Sequence, residues 1–362
     1  MKNPSYIVGG GIIGLLTALE LQRAGESVVI IDRQTVGREA SWAGGGILSP
    51  LYPWRYHPAV SALAGWSQDQ YPALAASLAA RTGIDPELTP SGMLIFGVED
   101  REESRLWALA QEARLEIPDP AAIALIEPMA SPQLGSAVWM PEVAQIRNPR
   151  FLRALCADLR QSGVIFLENT QVLGFTTQQG RLRSIHTDRG EIETQRCLVA
   201  AGAWSGDLLA TTGLVLPITP VKGQMLLLSA KALQLKTMVL YDHRYIIPRR
   251  DGRVLVGSTT ELDGFEKSTS ETARDDLLRA AVTMIPALAH SQIEHQWAGL
   301  RPGTPNGVPY IGQHPAIEGL FVCAGHFRNG IALAPASARQ VADLLLGRAP
   351  LLDQRQFQLP MS

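Results

Sequence analysis

The chain opens on an alternation of apolar runs and glycines that predicts a β-α-β unit. Tyr6–Val8 is a short apolar strand and Gly9-Gly10-Gly11 a turn. Ile12 to Arg23 reads as a helix that Gly25 ends. Ser27–Ile31, rich in β-branched residues, predicts a second buried strand, with Asp32 directly behind it. The unit is about 30 residues long, the size such a crossover requires. After the glycines between Gly37 and Gly46, the pattern is helical and polar to roughly residue 115. Asn148-Pro149 predicts a helix start, with Asn as N-cap and Pro in the first turn. Phe151, Leu152, Leu155 and Leu159 then keep helical spacing as far as Gly163. Four short runs follow, 164–167, 172–176, 182–187 and 192–194, and read as one β-meander. Cys197–Ala200 is another apolar strand, and residues 218–262 are strand-rich. There Tyr245–Pro248 and Val254–Gly257 flank an Arg-Asp-Gly hairpin turn. Leu320–Cys323 predicts a last strand, followed by a helix from about Ala334 to Leu346. Parallel-sheet elements at the start, middle and end imply an α/β fold whose nucleotide domain is discontinuous, with a strand-rich α+β domain inserted.

Composition narrows this picture. A chain of 362 residues exceeds the size of one hydrophobic core, so about two domains are expected. With 46% apolar residues, 18% charged and a formal net charge of −2, it reads as an ordinary globular protein. That balance gives no reason to expect nucleic acid or an anionic membrane as partner. Cys156, Cys197 and Cys323 are far apart and odd in number, which argues against a disulfide framework and a cysteine-based metal site. The apolar segment Tyr6–Leu21 is interrupted by Gly9, Gly10, Gly11, Gly14 and Glu20, short of the ~20 residues of a membrane span. No cleavage site accompanies it, and a cytoplasmic protein without an integral membrane segment is expected.

The first turn carries candidate chemistry. In Gly9-x-Gly11-x-x-Gly14 the first glycine permits a tight turn and the second lets a pyrophosphate approach the backbone. The third lets the helix pack closely on the strand. The helix N-terminus supplies N–H groups and a positive dipole end. Asp32, 18 residues past Gly14, can bind a ribose hydroxyl pair and repels a 2′-phosphate. The motif alone leaves FAD and NAD open.

Three further stretches separate them. Arg38-Glu39-Ala40-Ser41 with Gly44-Gly45-Gly46 follows the first unit, Ala200-Ala201-Gly202-Ala203-Trp204-Ser205 follows the middle strand, and Gly325-His326-Phe327-Arg328-Asn329-Gly330-Ile331 precedes the last helix. With Trp297-Ala298-Gly299-Leu300-Arg301-Pro302-Gly303-Thr304 and Pro309-Tyr310-Ile311-Gly312, they resemble the FAD-dependent D-amino acid oxidase superfamily nearly end to end. Within it the chain is most similar to the glycine oxidases of thiamine biosynthesis. The resemblance implies a Rossmann-type FAD-binding domain over 1–83, 143–217 and 304–362. A substrate domain built on an antiparallel sheet would occupy 84–142 and 218–303. It implies non-covalent FAD held by Ile12 and Ile13 at the phosphates, Asp32 and Arg33 at the ribose, and Val172 on the adenine side. Glu39, Ala40, Ser41 and Gly45 to Ile47, with Ala201, Gly202 and Trp204, complete the cofactor wall. Gly299 and the loop from His326 to Ala332 (Phe327, Arg328, Asn329, Gly330 and Ile331 between them) would border the isoalloxazine. No cysteine neighbours Arg301 in the sequence, near where related sarcosine oxidases attach their flavin covalently.

The substrate residues follow in the same way. Arg301 matches the family position that binds a substrate carboxylate, and its fork suits that planar anion. Arg328 matches a position touching substrate or flavin, and Tyr245 a tyrosine that reaches the substrate. His243, two residues before Tyr245, is expected on the same strand face and beside the pocket. Ile47 and Thr260 stand where the compared glycine oxidase has pocket methionines. The expected reaction is oxidative deamination of glycine or a small amine such as sarcosine or D-alanine, without a general base. Its products are the oxo-acid, ammonia or an amine, and hydrogen peroxide formed from dioxygen. Two alternatives stay open: a dehydrogenase that hands electrons to a quinone or partner subunit, and a flavin-binding subunit without turnover. By analogy the chain is a homo-oligomer, a tetramer.

Overall fold

The structure, a computed structural model, describes residues 3–360. Strands β1 (Ser5–Val8) and β2 (Val28–Ile31) pair in parallel, and helix α1 (Ile12–Arg23) crosses between them. Nearly every residue of α1 is buried, because the helix is covered on both sides. It lies against the sheet on one side and against α6 (Asn148–Gln161) and α9 (Gly330–Leu345) on the other. Gly14 sets the distance of α1 from β1. A Cβ there would stand 1.9 Å from the Gly9 carbonyl oxygen, and Gly9 itself has φ +110°. Both positions admit only glycine, one for space and one for backbone conformation.

This unit seeds a six-stranded sheet. β5 (Ile165–Leu167) extends it beyond β2, and β9 (Cys197–Val199), β16 (Leu320–Ala324) and β15 (Tyr310–Gln313) extend it beyond β1. All neighbours run parallel except β15 with β16. α3 (Pro58–Thr82) packs on α6 and α9 and completes the helical layer. A three-stranded meander, β6 (Val172–Gln178), β7 (Arg181–Thr187) and β8 (Gly190–Glu193), stands beside this sheet. Short α7 (Ser205–Ala210) packs on β6.

The second sheet has seven strands, in the order β14 (Gln292–Gly303), β10 (Thr219–Ser229), β13 (Arg253–Gly257), β12 (Arg244–Pro248), β11 (Met238–Tyr241), β3 (Met93–Phe96) and β4 (Ala137–Met140). Its pairings are antiparallel apart from β3 with β11. α8 (Glu271–Met284) covers one face, while α4 (Arg101–Ala110) and α5 (Pro120–Ile126) lie in the stretch between β3 and β4. Short α2 (Glu39–Ala43), inside the glycine-rich stretch, packs on β14 and α6 and so ties the two sheets together.

Several elements differ from expectation. β3 lies in the stretch read as helical and polar. It is a run of only four apolar residues, with φ +63° at Gly92 and +66° at Gly97 marking its ends. β5, expected in the meander, pairs with β2 instead, because a three-residue apolar run carries nothing that tells one sheet from another. α9 begins at Gly330, four residues before the predicted start. Asn148 does not cap α6: its side chain donates to the carbonyls of Ser41 (2.8 Å) and Gly44 (3.0 Å) instead. Among the described residues, no helix is long and apolar enough to cross a membrane.

The 1.9 Å approach at Gly14 makes a direct prediction. Gly14→Ala forces α1 off β1 and lowers the unfolding free energy by about 1–3 kcal/mol or more, as overpacking does. Denaturant unfolding measures it, and a variant as stable as the parent contradicts the packing described.

Candidate active site

One cavity of about 450 Å³ runs from the C-terminal ends of the parallel strands to the inner face of the second sheet. Its first end is built by the β1–α1 turn. Gly11, the N-cap of α1, has no side chain, and the only side-chain cap nearby is Ser41 Oγ, which accepts from Ile12 N–H at 2.9 Å. Among the described residues the N–H groups of Gly11 and Ile13 meet no acceptor. Free donors at a positive dipole end suit phosphate oxygens. Asp32 faces the cavity and also braces the turn, accepting from Gly10 N–H (2.7 Å) and Gln34 N–H (2.8 Å). Burial raises its pKa above the usual carboxylate value, against the lowering effect of those two bonds. Arg33 lies over the Trp204 ring at 3.5 Å, a cation–π contact that shapes the same wall. Glu39 collects Gln34 Nε2 (3.0 Å) and Lys267 Nζ (3.0 Å) at its carboxylate.

The second end is built by β10, β12 and β14. Arg301 on β14 projects across Gly223 on β10, where a Cβ would sit 2.0 Å from Arg301 Nη2. Nη2 donates to Ser258 Oγ at 2.7 Å, and Nη1 to the carbonyls of Thr259 (3.2 Å) and Lys222 (3.4 Å). These bonds use three of the five guanidinium N–H groups, and the Tyr245 hydroxyl also lies within hydrogen-bonding reach of the guanidinium. Among the described residues, no carboxylate forms an ion pair with Arg301 or Arg328. Burial pushes the Arg301 pKa down to about 10; the Tyr245 phenol opposes this and the Arg328 charge adds to it. The group stays protonated at neutral pH. Tyr245 is buried, its hydroxyl 3.4 Å from Met225 Sδ. Met225, Ile47 and Leu51 add apolar wall.

The loop from Gly325 to Ile331 closes the cavity between the two ends. His326 Nε2, Arg328 Nη2 and Asn329 Nδ2 are all buried on this loop without a protein partner. Buried polar atoms are almost always paired, so three orphans lining one cavity mark the place of a polar ligand. Together with the free N–H groups of the β1–α1 turn, they fit an extended dinucleotide.

All the residues read as cofactor- or substrate-facing line this cavity except four. Gly14 and Ala332 lie one turn inside their helices, where Gly14 makes room for packing and Ala332 is core. His243 is an exposed residue of the β11–β12 turn with φ +60°, not a strand residue. The strand alternation that placed it beside Tyr245 therefore does not apply, and its ring packs on Tyr52 instead. Thr260 is exposed, past the end of β13, and meets Arg328 Nη1 at 3.4 Å. Sequence reasoning passed over Gly223, Met225, Ser258 and Asn148. Gly223 carried a signal, since glycine inside a strand often marks close approach of another group.

Comparison with known proteins agrees with this geometry. The FAD dependent oxidoreductase (DAO) family profile matches residues 6–344. The chain is 50% identical to a glycine oxidase of Pseudomonas aeruginosa, over 99% of this chain and 98% of that one. It is 46% identical to a glycine oxidase of Pseudomonas putida, with the same two coverages. The crystal structure of glycine oxidase from Geobacillus kaustophilus superposes with a TM-score of 0.93 at 30% identity, covering 99% of this chain and 98% of that one.

His326 gives this site a pH signature. Burial pushes its pKa from 6.5 down to about 3, so the folded protein keeps the imidazole neutral. Unfolding restores the ordinary value, and between these limits the unfolded state binds more protons. Stability therefore falls as pH drops through that window, by at most about 1.4 kcal/mol per pH unit from this group. His326→Gln removes that contribution. Unfolding free energies taken between about pH 4 and pH 7 test it, and identical slopes in parent and variant refute it.

Proposed function

The chain belongs to the FAD dependent oxidoreductase family, and on that premise we propose that it oxidatively deaminates glycine and other small amines with FAD as cofactor. The observation that carries the substrate class is Arg301: a half-buried guanidinium, free of any ion pair, with donors turned to the cavity. An amino acid carboxylate supplies the missing charge and accepts the remaining N–H pair. Tyr245 stands beside it as a hydroxyl donor. Ile47, Leu51 and Met225 leave an apolar, narrow surround for the Cα substituent, which favours small substrates.

The β1–α1 turn holds the pyrophosphate, Asp32 and Arg33 the ribose, Val172 the adenine side, and the 325–331 loop the flavin, without a covalent link. When bound, FAD supplies the two-electron acceptor for the Cα hydride of the substrate. The protein contributes position and charge. Arg301 orients the substrate by its carboxylate, Arg328 adds positive charge to the same end, and the α9 N-terminus directs its dipole at the cavity. No residue is assigned as general base. For glycine the overall reaction consumes dioxygen and water and releases glyoxylate, ammonia and hydrogen peroxide. We assign residues 1–83, 143–217 and 304–362 to the cofactor domain and the remainder to the substrate domain. In the cell the protein is read as a cytoplasmic homo-oligomer, with dioxygen as acceptor and the glycine imine feeding thiazole formation for thiamine.

Arg301→Ala is expected to retain FAD and to lower kcat/KM for glycine by about 100-fold or more, the cost of losing a charge-assisted pair. Gly223→Ala should act the same way by displacing the guanidinium. Steady-state kinetics with glycine read both, and unchanged kinetics for Arg301→Ala sink the assignment. Hydrogen peroxide formed in step with oxygen uptake identifies dioxygen as acceptor, whereas turnover only with a quinone overturns that part.

A further inference from the structure

Gly45, Gly46 and Ile47 wall the cavity next to Tyr245, and Arg249 grips this wall from behind without lining the cavity itself. Arg249 Nη2 donates to the Gly45 carbonyl at 2.7 Å. Its Nη1 donates to Gln145 Oε1 at 2.8 Å and to the Ile146 carbonyl at 3.2 Å. Gln145 is itself tied down, donating to the Pro248 carbonyl at 2.9 Å and Ser91 Oγ at 3.0 Å. The Gly46 carbonyl accepts from Ile146 N–H at 2.8 Å. The grip therefore rests on a rigid frame.

Two consequences follow. The C=O and N–H of a trans peptide point in opposite directions. With the Gly45 carbonyl turned onto Arg249, the Gly46 N–H faces away from it, and among the described residues no acceptor meets that N–H. The second consequence is charge. The nearby acids are taken: Glu87 by Arg147 and Arg150, each at 3.1 Å, and Asp251 by Arg147 and Arg253, each at 2.9 Å. Among the described residues Arg249 has no ion pair, and its partners are neutral acceptors. Burial, reinforced by Arg147 and opposed by the Glu87 and Asp251 carboxylates, pushes its pKa down to about 10, so it remains a cation at neutral pH. Holding a carbonyl does not itself call for a guanidinium. A neutral amide could do so without burying an unpaired charge.

We propose that Arg249 is a positioning residue for the redox cofactor: it fixes the Gly45–Gly46 peptide with its N–H offered to the cavity and sets a positive charge outside any direct ion pair behind that wall, which raises the flavin reduction potential. The inference rests on the FAD reading of the cavity. Reduction adds negative charge to the isoalloxazine, and a fixed, half-buried cation beside it favours the reduced form. Salt screens a half-buried charge of this kind less than an exposed one.

The test compares Arg249→Gln and Arg249→Lys with the parent, each purified as the flavoprotein. The glutamine keeps one bond to the wall and removes the charge; the lysine keeps the charge and loses the fork. The midpoint potential is measured without substrate, by equilibration with a reference dye. Arg249→Gln is expected to show a lower potential and anaerobic flavin reduction slowed by about tenfold or more, the scale of one charge-assisted bond. Arg249→Lys should keep a potential near the parent's. A parent-like potential in Arg249→Gln, or a fall in Arg249→Lys as large as in Arg249→Gln, overturns the proposal. Where Arg249→Gln holds no flavin, Arg249→Met takes its place as the uncharged variant: a lowered potential supports the proposal and a parent-like one refutes it. A parent that holds FAD but is reduced by no small amine overturns the substrate reading and leaves the comparison of potentials intact.

Discussion

Three guanidinium groups, Arg301, Arg328 and Arg249, lie in or directly behind the wall of one cavity, and among the described residues none has a carboxylate against it. Taking an ion out of water costs several kcal/mol, so each must be offset by other contacts. Backbone carbonyls, Ser258 Oγ and Gln145 Oε1 do this for Arg301 and Arg249 without cancelling the charge. The acids that could neutralise them are occupied elsewhere. Lys222 holds Glu261 and Asp263, and Arg147 holds Glu87 and Asp251. The positive potential is thus left for what enters the cavity, in the proposed function a carboxylate at one end and a flavin beside it.

Keeping that potential in place depends on backbone contacts that only glycine allows. At Gly14 the missing side chain lets α1 reach β1, so the helix dipole ends on the cavity. At Gly223 it lets the Arg301 guanidinium lie across β10 rather than swing to solvent. Asn148 extends the same logic by spanning from α6 to the carbonyls of Ser41 and Gly44, which anchors the segment that carries Ser41, Gly45 and Ile47. The cavity wall is therefore assembled from both sheets and from α2 between them, and no single local element contains it.

The nucleotide half of this arrangement was legible in the chain. Strand, glycine turn, helix, second strand and terminal acid are contiguous, and each is specified by local rules of conformation and burial. Arg301 and the 325–331 loop were legible through resemblance, since their motif residues are also contiguous. His243 lies off the pocket because strand alternation does not reach into the turn at φ +60°, and Thr260, placed by resemblance, is exposed past the end of β13. β3 and β5 were misassigned because runs of three or four apolar residues state burial but not the partner strand.

By itself, then, the sequence determined the β-α-β unit with its glycine turn and terminal acid, because that unit follows from spacing within some thirty residues. Only the tertiary structure decided which acids leave Arg301 and Arg249 unpaired, which glycine makes room for the Arg301 guanidinium, and what holds Gly45. Those outcomes depend on residues distant in the chain brought within hydrogen-bond distance, such as Arg301 with Lys222 and Arg249 with Gly45. Charge and close packing act through space, and no local pattern in the chain records them.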